Sequence, residues 1–273
     1  MTRDEADANG RSIILFGQAG IGKTTFASNF PSAVFLPAAS EQGARELEAS
    51  GVLDGVRQLR PFEDFNDLED RIRSVMRAGK EEVGTLVIET VQHALDACIA
   101  TCLAEKFDGD DGESRSGFNN FGKGYKTTKT HYVQPLRDML DRVRAKGIHV
   151  VLTGHTEIGT RTNPDGDDFA VETPSDMNEK LWKVFEKWCE AMMLYTLDVN
   201  TDENSTRMSK VTDYRRALIG HVEPRFNGKT RWGLSERVFD TATEDEPDLD
   251  GSKLYAAFCK EARIDPETLA HVR

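Results

Sequence analysis

The amino-acid sequence predicts an α/β fold in which helices flank a mainly parallel sheet that ends in an antiparallel hairpin. Three observations predict this fold. Short continuous apolar runs alternate with segments of helical periodicity, as in successive βα units. The runs lack the polar alternation of a half-exposed strand, which is typical of strands buried on both faces. The last two strand-like runs are separated mainly by turn residues, which favours an antiparallel pair.

The first half of the chain is predicted to contain four strands and three helices. The run Ser12–Phe16 is followed by a helical pattern from Lys23 to Phe30, which stops before Pro31. Asp64 can cap a later helix whose apolar residues share one face and which ends near Gly79. The other predicted elements of this half are strands over 33–36, 55–59 and 85–88 and a helix over about 91–105.

The second half is predicted to contain two long polar loops, over 106–128 and about 157–176. Loops of this length inside a compact domain are usually functional or disordered. The other predicted elements are a helix over about 129–145, strands over 148–153, 190–198 and 207–222, and a helix over 251–262. We divide the chain into a loose N-terminus (1–10), a main α/β domain (11–238), an acidic linker (239–251) and a helical tail (252–273), which either docks a partner or covers the domain.

The composition excludes several classes of protein. The chain has 35 Lys+Arg against 47 Asp+Glu, a net charge of −12, and 38% of its residues are hydrophobic. No apolar run approaches the ~20 residues of a membrane span. The acidic start of the sequence is unlike a signal peptide, and four scattered cysteines are too few for a disulfide framework. We therefore expect a cytoplasmic protein that does not interact with a membrane.

Positive charge is nevertheless concentrated in two segments of this acidic chain. Residues 115–147 contain eight bases and two acids, and residues 207–237 contain eight bases and three acids. Such segments can form a local basic surface, although solvated helix faces are the simpler interpretation.

Residues 17–24, Gly-Gln-Ala-Gly-Ile-Gly-Lys-Thr, match the P-loop pattern G-x-x-x-x-G-K-[ST] in full. The motif follows a predicted buried strand and opens a helix, a context that favours a phosphate site over a simple glycine-rich turn. Glycines let backbone N–H groups wrap phosphates, and the helix N-terminus adds its positive dipole end. We expect Lys23 to reach the β- and γ-phosphates of ATP and the Thr24 hydroxyl to bind Mg²⁺. The predicted nucleotide contacts are Gly17, Gln18, Ala19, Gly20, Ile21, Gly22, Lys23, Thr24 and Thr25.

Three polar residues at predicted strand ends are candidates for the chemistry of hydrolysis. Glu89 could hold Mg²⁺, directly or through water, or serve as the base, the alternative being a solvent-facing acid. Glu41, beyond the second strand, could polarise the attacking water or simply cap the following helix. His155 follows a strand at the carboxyl edge of the sheet, where it could sense the γ-phosphate or be an ordinary hydrogen-bonded loop histidine.

With these residues in place, the chain resembles the RecA-like ATPases, and most closely the phage-type nucleotide-binding proteins linked to single-strand annealing and recombination. The resemblance covers about residues 11–237. Besides the P-loop, it rests on Glu41–Gly43, Leu86–Glu89, Phe121–Tyr125, Val150–His155 and Lys229–Leu234, which occur in the family's order. The chain departs from the family pattern at Glu89, where Asp is usual, and in lacking an acidic Asp-x-Glu at the end of the second strand.

The resemblance implies that two loops face DNA, here about 106–128 and 156–176. The candidate DNA contacts in these loops are Lys123, Tyr125, Lys126 and Arg161. Phe118 and Phe121 in the first loop suit base stacking, and anchoring of the loop in the core is the other interpretation of these two rings.

The resemblance also implies a function. It indicates an Mg²⁺-dependent, DNA-stimulated ATPase that forms a homo-oligomer on single-stranded DNA, with ATP at the subunit interfaces. By similarity to the Lys-Asn-Arg-Phe-Gly signature of the RadA relatives, Lys229 and Arg231 would act on the γ-phosphate of the neighbouring subunit. A single-strand-binding protein is a further candidate partner, and a phage-encoded chain would act in the cytoplasm of a bacterial host. The alternatives are a P-loop kinase of a small substrate and a nucleotide-gated adaptor with little hydrolysis.

Overall fold

The structure is a computed structural model that describes residues 9–41, 43–51, 57–163, 166–202, 210–242 and 246–270. The strands are β1 (Ser12–Gly17), β2 (Ala33–Pro37), β3 (Arg57–Gln58), β4 (Thr85–Glu89), β5 (His149–Arg161), β6 (Phe169–Pro174), β7 (Ala191–Asp202), β8 (Lys210–Ile219), β9 (Val222–Glu223), β10 (Phe226–Asn227) and β11 (Val238–Phe239). The helices are α1 (Lys23–Ser28), α2 (Gly43–Ala49), α3 (Phe65–Ala78), α4 (Val91–Phe107), α5 (Lys123–Thr128), α6 (Gln134–Ala145), α7 (Glu179–Trp188) and α8 (Ser252–Ala262). A 3₁₀ turn at Asn120–Gly122 precedes α5, and a π turn at Lys129–Val133 joins α5 to α6.

Most of the described strands form one sheet in the order β11-β8-β7-β1-β5-β4-β2-β3, with β6 paired to the end of β5. The strands from β7 to β3 in this order are parallel to one another. β8 and β11 add antiparallel pairs at the β7 side. The predicted α/β class, with a mainly parallel sheet and a C-terminal antiparallel hairpin, is confirmed. The strand before the P-loop, β1, is central, and β5 separates it from β4.

The sheet is covered on both faces because its central strands are apolar throughout. In β1, Ile14 and Phe16 face a core formed with α3, α4, α6 and α7. Ile13 and Leu15 face a second core formed with α1 and α8. All four side chains are fully buried. Because side chains alternate along a strand, a run of four apolar residues requires cover on both sides, as the sequence predicted.

The segment predicted as a loop over 106–128 is partly helical, so that prediction is wrong at both of its ends. α4 continues to Phe107, and helical structure resumes at the 3₁₀ turn and continues through α5 into α6. Gly122 has a φ of 71° just before α5 begins. Gly124 lies inside α5, where an added Cβ would be 2.3 Å from the ring of Phe118. These two glycines permit a left-handed turn and a close contact, so they do not mark a flexible chain.

The loop predicted over about 157–176 is also wrong, because most of it forms a hairpin. β5 continues beyond the sheet to Arg161 and pairs antiparallel with β6, from Thr156 opposite Pro174 to Arg161 opposite Phe169. The hairpin is largely exposed, and even Ile158 is 64% exposed. Its sequence therefore lacks the apolar alternation by which a strand is recognised.

The C-terminal helix α8 covers the domain, which decides between the two roles left open for the tail. Phe258 in α8 is fully buried, with its ring centre 6.1 Å from that of Phe26 in α1 and 5.5 Å from that of Trp232. The buried carboxylate of Asp248 accepts hydrogen bonds of 3.0 and 3.1 Å from backbone N–H groups in the first turn of α8. The acidic segment before α8 thus supplies the cap that starts this helix.

In the ranges that the structure describes, no helix is both long enough and apolar enough to cross a bilayer. All four cysteines are buried and none forms a disulfide. Burial raises the pKa of the Cys189 thiol to about 11, which keeps it protonated at neutral pH.

We expect Phe258→Ala to lower the free energy of unfolding by about 3–5 kcal/mol, because it removes a fully buried ring from the contact between α8 and α1. Urea denaturation followed by circular dichroism measures this change. Leu249→Ala is the control, since that side chain is 70% exposed and its loss should change the free energy by less than about 0.5 kcal/mol. Equal effects of the two substitutions would contradict the packing described for α8.

Candidate nucleotide-binding site

The P-loop connects the end of β1 to the start of α1. Gly17 lies opposite His155 in the ladder between β1 and β5. On the other side, β7 approaches so closely that a Cβ on Gly17 would lie 2.4 Å from the carbonyl oxygen of Tyr195. Gly20 and Gly22 have φ values of 74° and 110°, in the region that favours glycine. The motif therefore has glycine where the backbone of this turn requires it.

A cavity of about 570 Å³ opens over the P-loop, a size typical of small-molecule sites. Residues from three separate strand ends meet there, namely Glu41, Glu89 and His155. The lining consists of Ala19, Gly20, Gly22, Lys23, Thr24, Thr25, Glu41, Gly43, Glu46, Leu47, Ser50, Glu89, Thr90 and His155. The predicted contacts Gly17, Gln18 and Ile21 lie outside this lining. A larger groove of about 700 Å³, between residues 233–241 and α8, contains none of the predicted site residues.

Lys23 is buried, and its amine is held by the carbonyl groups of its own loop. Its Nζ donates hydrogen bonds to the oxygens of Gly17 at 2.9 Å and Gln18 at 2.8 Å, and lies 3.3 Å from His155 Nδ1. Burial lowers the pKa of Lys23 to about 8, although two nearby carboxylates act in the opposite direction. At pH 7 the amine is therefore mostly protonated and supplies a cation at the floor of the cavity.

Thr24 and Glu89 meet at the wall of the cavity. The Thr24 hydroxyl donates to Glu89 Oε1 at 2.5 Å. Glu89 is only 5% exposed, and burial raises the pKa of its carboxyl group. Its other oxygen, Oε2, is buried without a hydrogen-bond partner among the described residues. A hydroxyl beside an incompletely satisfied carboxylate is an oxygen donor set that suits Mg²⁺, so both residues fit the metal role predicted for them.

Glu41 lies between two histidines. His93 Nδ1 is 3.3 Å and His155 Nε2 is 3.6 Å from Glu41 Oε1. Hydrogen bonds from these imidazoles lower the pKa of Glu41 to about 2, and the carboxylate in turn raises the pKa of His93. Thr90 Oγ1, 2.9 Å from His93 Nδ1, gives that ring a second polar contact. Glu41 is thus an oriented, ionised carboxylate.

His93 was missed in the sequence analysis, although a signal for it existed. It lies in the first turn of α4, four residues after Glu89. Because α4 begins at the carboxyl edge of the sheet, polar residues in its first turn are placed near the ligand site. The pocket residues contributed by α2 and the residue after it, such as Glu46 and Ser50, had no comparable signal in the sequence.

The backbone of His155 is fixed to the segment that leads into α7. Ser175 N–H donates to the His155 carbonyl oxygen at 3.1 Å. The buried side chain of Gln92 donates to the carbonyl oxygens of His155 at 3.0 Å and Ser175 at 3.4 Å. The segment before α7 therefore stays in register with the strand that bears His155.

The residue after His155 belongs to a second buried network. Thr156 Oγ1 donates to Glu172 Oε2 at 2.6 Å, and Glu172 is only 4% exposed. The Arg225 guanidinium donates to Glu172 Oε1 at 2.7 Å and to Thr196 Oγ1 at 2.8 Å. This network joins the β5–β6 hairpin to the turn that contains β9 and β10.

Lys229 and Arg231, predicted to act on a neighbouring subunit, are not in the lining of the cavity. Lys229 pairs through its backbone with Met192, and its amine donates to the Glu186 carbonyl oxygen. Arg231 is exposed. Of these two cations, Arg231 is the one whose side chain is presented to solvent.

The four candidate DNA contacts do not form one surface. Lys123 lies over the ring of Phe107, with Nζ 5.5 Å from its centre. Tyr125 packs edge-on against Phe118 at 5.2 Å. Lys126 is exposed on α5, and Arg161 is exposed on the separate β5–β6 hairpin. The structure brings Lys123 and Tyr125 against the aromatic residues that close the loop before α5, which gives both a packing role.

The two phenylalanines of this loop differ. Phe118 is buried beneath the loop, so the interpretation of this ring as a core anchor is confirmed. Phe121 is 106% exposed, so the same interpretation is wrong for Phe121.

We expect Glu41→Gln to destabilise the protein by about 1–2 kcal/mol at pH 6, and by less at pH 3 and pH 9. The pKa of Glu41 is lowered from 4.5 to about 2, so its contribution is lost as pH falls below 4.5. The pKa of His93 is raised from 6.5, so its contribution is lost as pH rises through that raised value. Urea denaturation at the three pH values measures the difference. Glu46→Gln, in the same cavity, is the control, and parallel pH profiles of the two variants would contradict this assignment.

The chain is similar to known ATPases in sequence pattern and in fold. Residues 9–232 match the model of a family described as AAA domain. Among solved structures, the flagellar accessory protein FlaH from Methanocaldococcus jannaschii is similar, with 11% sequence identity, a TM-score of 0.42, and coverage of 89% of this chain and 93% of that chain. A second solved structure, the ATPase domain of another protein, is similar with 11% identity, a TM-score of 0.41, and coverage of 90% of this chain and 84% of that chain. No curated protein sequence matches the chain significantly. Because the family model spans most of the sequence and includes the complete P-loop, the chain belongs to the AAA domain family and is a P-loop ATPase.

Proposed function

We propose that the chain is an Mg²⁺-dependent ATPase that acts on single-stranded DNA in recombination or annealing of the phage type, in the cytoplasm of a bacterial host. The observation that supports hydrolysis is a pair of carboxylates near Lys23 with opposite environments. The pKa of Glu89 is raised by burial, whereas the pKa of Glu41 is lowered by two histidines. Carboxylates whose pKa values are pushed apart in one site generally have different chemical roles.

Lys23 and the P-loop would bind the triphosphate. The Lys23 amine, now bonded to two loop carbonyls, would exchange these bonds for stronger charge-assisted bonds to phosphate oxygens. Thr24 and Glu89 would hold Mg²⁺, which supplies positive charge against the phosphates when bound.

Glu41 would orient the attacking water. Its pKa of about 2 makes it a weak base at neutral pH, but an ionised carboxylate accepts a hydrogen bond from water and polarises it. His93 and His155 fix the direction of the carboxylate, and His155 also lies 3.3 Å from the Lys23 amine. A shift of phosphate-bound Lys23 would therefore be felt by the histidine that holds Glu41.

Assembly into a homo-oligomer would complete the site. In the described part of this chain, no arginine lines the cavity over the P-loop. An arginine that stabilises transition-state charge can be supplied by another molecule. The exposed Arg231 is the candidate in this chain, because its guanidinium is presented to solvent outside its own cavity.

We expect ATP turnover to rise when single-stranded DNA is added, and Lys23→Ala to abolish it by removing the cation at the cavity floor. Glu41→Gln should lower turnover about 10²–10³-fold while ATP still binds, because the water loses its oriented acceptor. Release of inorganic phosphate with and without an oligonucleotide measures turnover, and fluorescent-nucleotide titration measures binding.

Lys80→Ala, at an exposed lysine far along the chain from the P-loop, is the control for this experiment. A phosphorylated small acceptor formed without free phosphate would replace the proposal by a kinase. ATP binding without turnover, with or without DNA, would replace it by a nucleotide-gated adaptor.

We expect Arg231→Ala subunits and Lys23→Ala subunits to be inactive separately and to regain turnover when mixed. In a mixed assembly the intact P-loop of one subunit can meet the intact arginine of the other, so a fraction of the sites is complete. Turnover as a function of mixing ratio tests this. Arg77→Ala, at an exposed arginine of α3, is the control and should stay active alone. An active Arg231→Ala protein would exclude the shared site.

A further inference from the structure

A groove with basic walls lies between α7 and the helical run that leads from α5 into α6. Its α7 wall contains three exposed lysines at spacings of three and four residues, which places them on one face of the helix. The opposite wall contains two lysines three residues apart and an arginine. We call this surface the cationic groove and define it by Lys126, Lys129, Arg137, Lys180, Lys183 and Lys187.

The two walls approach each other along the length of α7. At one end, Lys180 Nζ would be 3.8 Å from a Cβ added to Gly122. At the other end, Trp188 Nε1 donates a hydrogen bond to Asp141 Oδ1 at 2.7 Å. Between these ends, side chains of both walls line a concavity of about 290 Å³. The groove is thus continuous from the start of α5 to the middle of α6.

Most of the positive charge in the cationic groove is not neutralised by the protein. Lys183 pairs with Glu179, and Arg137 pairs with Asp138 and Asp141. Within the described ranges, the other four cations form no ion pair with a carboxylate. In a chain with a net charge of −12, this concentration of unpaired lysines indicates a site for an anionic partner.

An aromatic ring stands at the Gly122 end of the groove. Phe121 is fully exposed, and its φ of 46° places a bulky residue in the left-handed region, where such residues are rare. A single exposed apolar side chain is ordinary. A fully exposed ring beside a row of cations is the combination by which proteins bind single strands, since cations contact the backbone and rings stack on bases.

The geometry points to the cationic groove as the binding site for the backbone of single-stranded nucleic acid, with Phe121 stacked on a base at its Gly122 end. This inference rests on the proposed function and moves its main DNA contacts from Arg161 on the hairpin to α7. The three α7 lysines span about 10 Å, which matches roughly three phosphates at the ~3.4 Å spacing of a stacked strand. A duplex fits less well because its paired bases are not free to stack on Phe121.

The cationic groove is connected to the nucleotide site by the start of α7. Ser175, four residues before this helix, is bonded to the His155 carbonyl, and Gln92 bonds to both residues. A strand held along α7 is therefore in contact with the helix that follows directly from the segment fixed to β5. This gives DNA-dependent turnover a short structural route.

The test is fluorescence anisotropy of a labelled 20-nucleotide oligothymidylate, titrated with the full-length protein at several salt concentrations. The variant K180A/K183A/K187A should weaken binding about 10- to 100-fold at 0.1 M salt and reduce the slope of log Kd against log salt by about 2. The control K80A/K146A/K260A removes the same charge from exposed lysines elsewhere and should bind as the unaltered protein does. K180R/K183R/K187R should restore binding, which separates charge from folding.

Phe121→Ala tests the other half of the proposal. It should weaken binding about 10-fold and leave the salt slope unchanged, because stacking involves no counterion release. Its thermal midpoint should also be unchanged, since the ring is fully exposed.

Oligonucleotide binding that is unaffected by K180A/K183A/K187A would overturn the groove and leave the proposed function intact. No oligonucleotide binding by the unaltered protein would contradict the DNA part of the proposed function itself. Lysine-dependent binding to phosphatidylserine vesicles or to polyglutamate, without binding to the oligonucleotide, would assign the groove to a different partner and overturn the inference.

Discussion

The parallel pairing of β1 with β5 is the constraint on which the rest of the site depends. It sets Gly17 opposite His155 and so brings the end of the P-loop beside the histidine that touches Lys23. A slip of one residue would turn His155 to the other face of the sheet. The register is fixed because β1 is buried on both faces, with Ile14 and Phe16 in one core and Ile13 and Leu15 in the other. Burial of an apolar strand thus determines the position of a charged cluster.

Within that frame, the two carboxylates differ because of what surrounds them. Glu89 is enclosed and has one short hydrogen bond, from Thr24, so its charged form is disfavoured until a cation approaches. Glu41 is less enclosed and accepts from two imidazoles, so its charged form is strongly favoured. A cation site and an oriented acceptor for water are therefore produced by the same residue type. The difference comes from burial and hydrogen bonding.

The sequence predicted what depends on local pattern and missed what depends on tertiary contact. The P-loop, the buried strands and Glu89 follow from glycine positions and apolar runs that act locally. The helical start at Gly122 was missed because glycine there serves a left-handed turn, which a sequence does not distinguish from flexibility. The β5–β6 hairpin was missed because exposed strands lack apolar alternation. His93 was missed because its role depends on Glu41, which is 52 residues away and meets it only in the fold.

The end of β5 is bonded in three directions at once. The His155 side chain contacts Lys23 and Glu41, its carbonyl is bonded to Ser175 before α7, and the adjacent Thr156 is bonded to the buried Glu172 that holds Arg225. Each partner leads to a different surface: the nucleotide cavity, the cationic groove, and the turn that precedes Arg231. A displacement of the end of β5 must therefore break these bonds or move all three neighbours with it. Because the bonds to Glu172 are buried and involve charge, breaking them is the costlier outcome, so movement of the neighbours together is favoured.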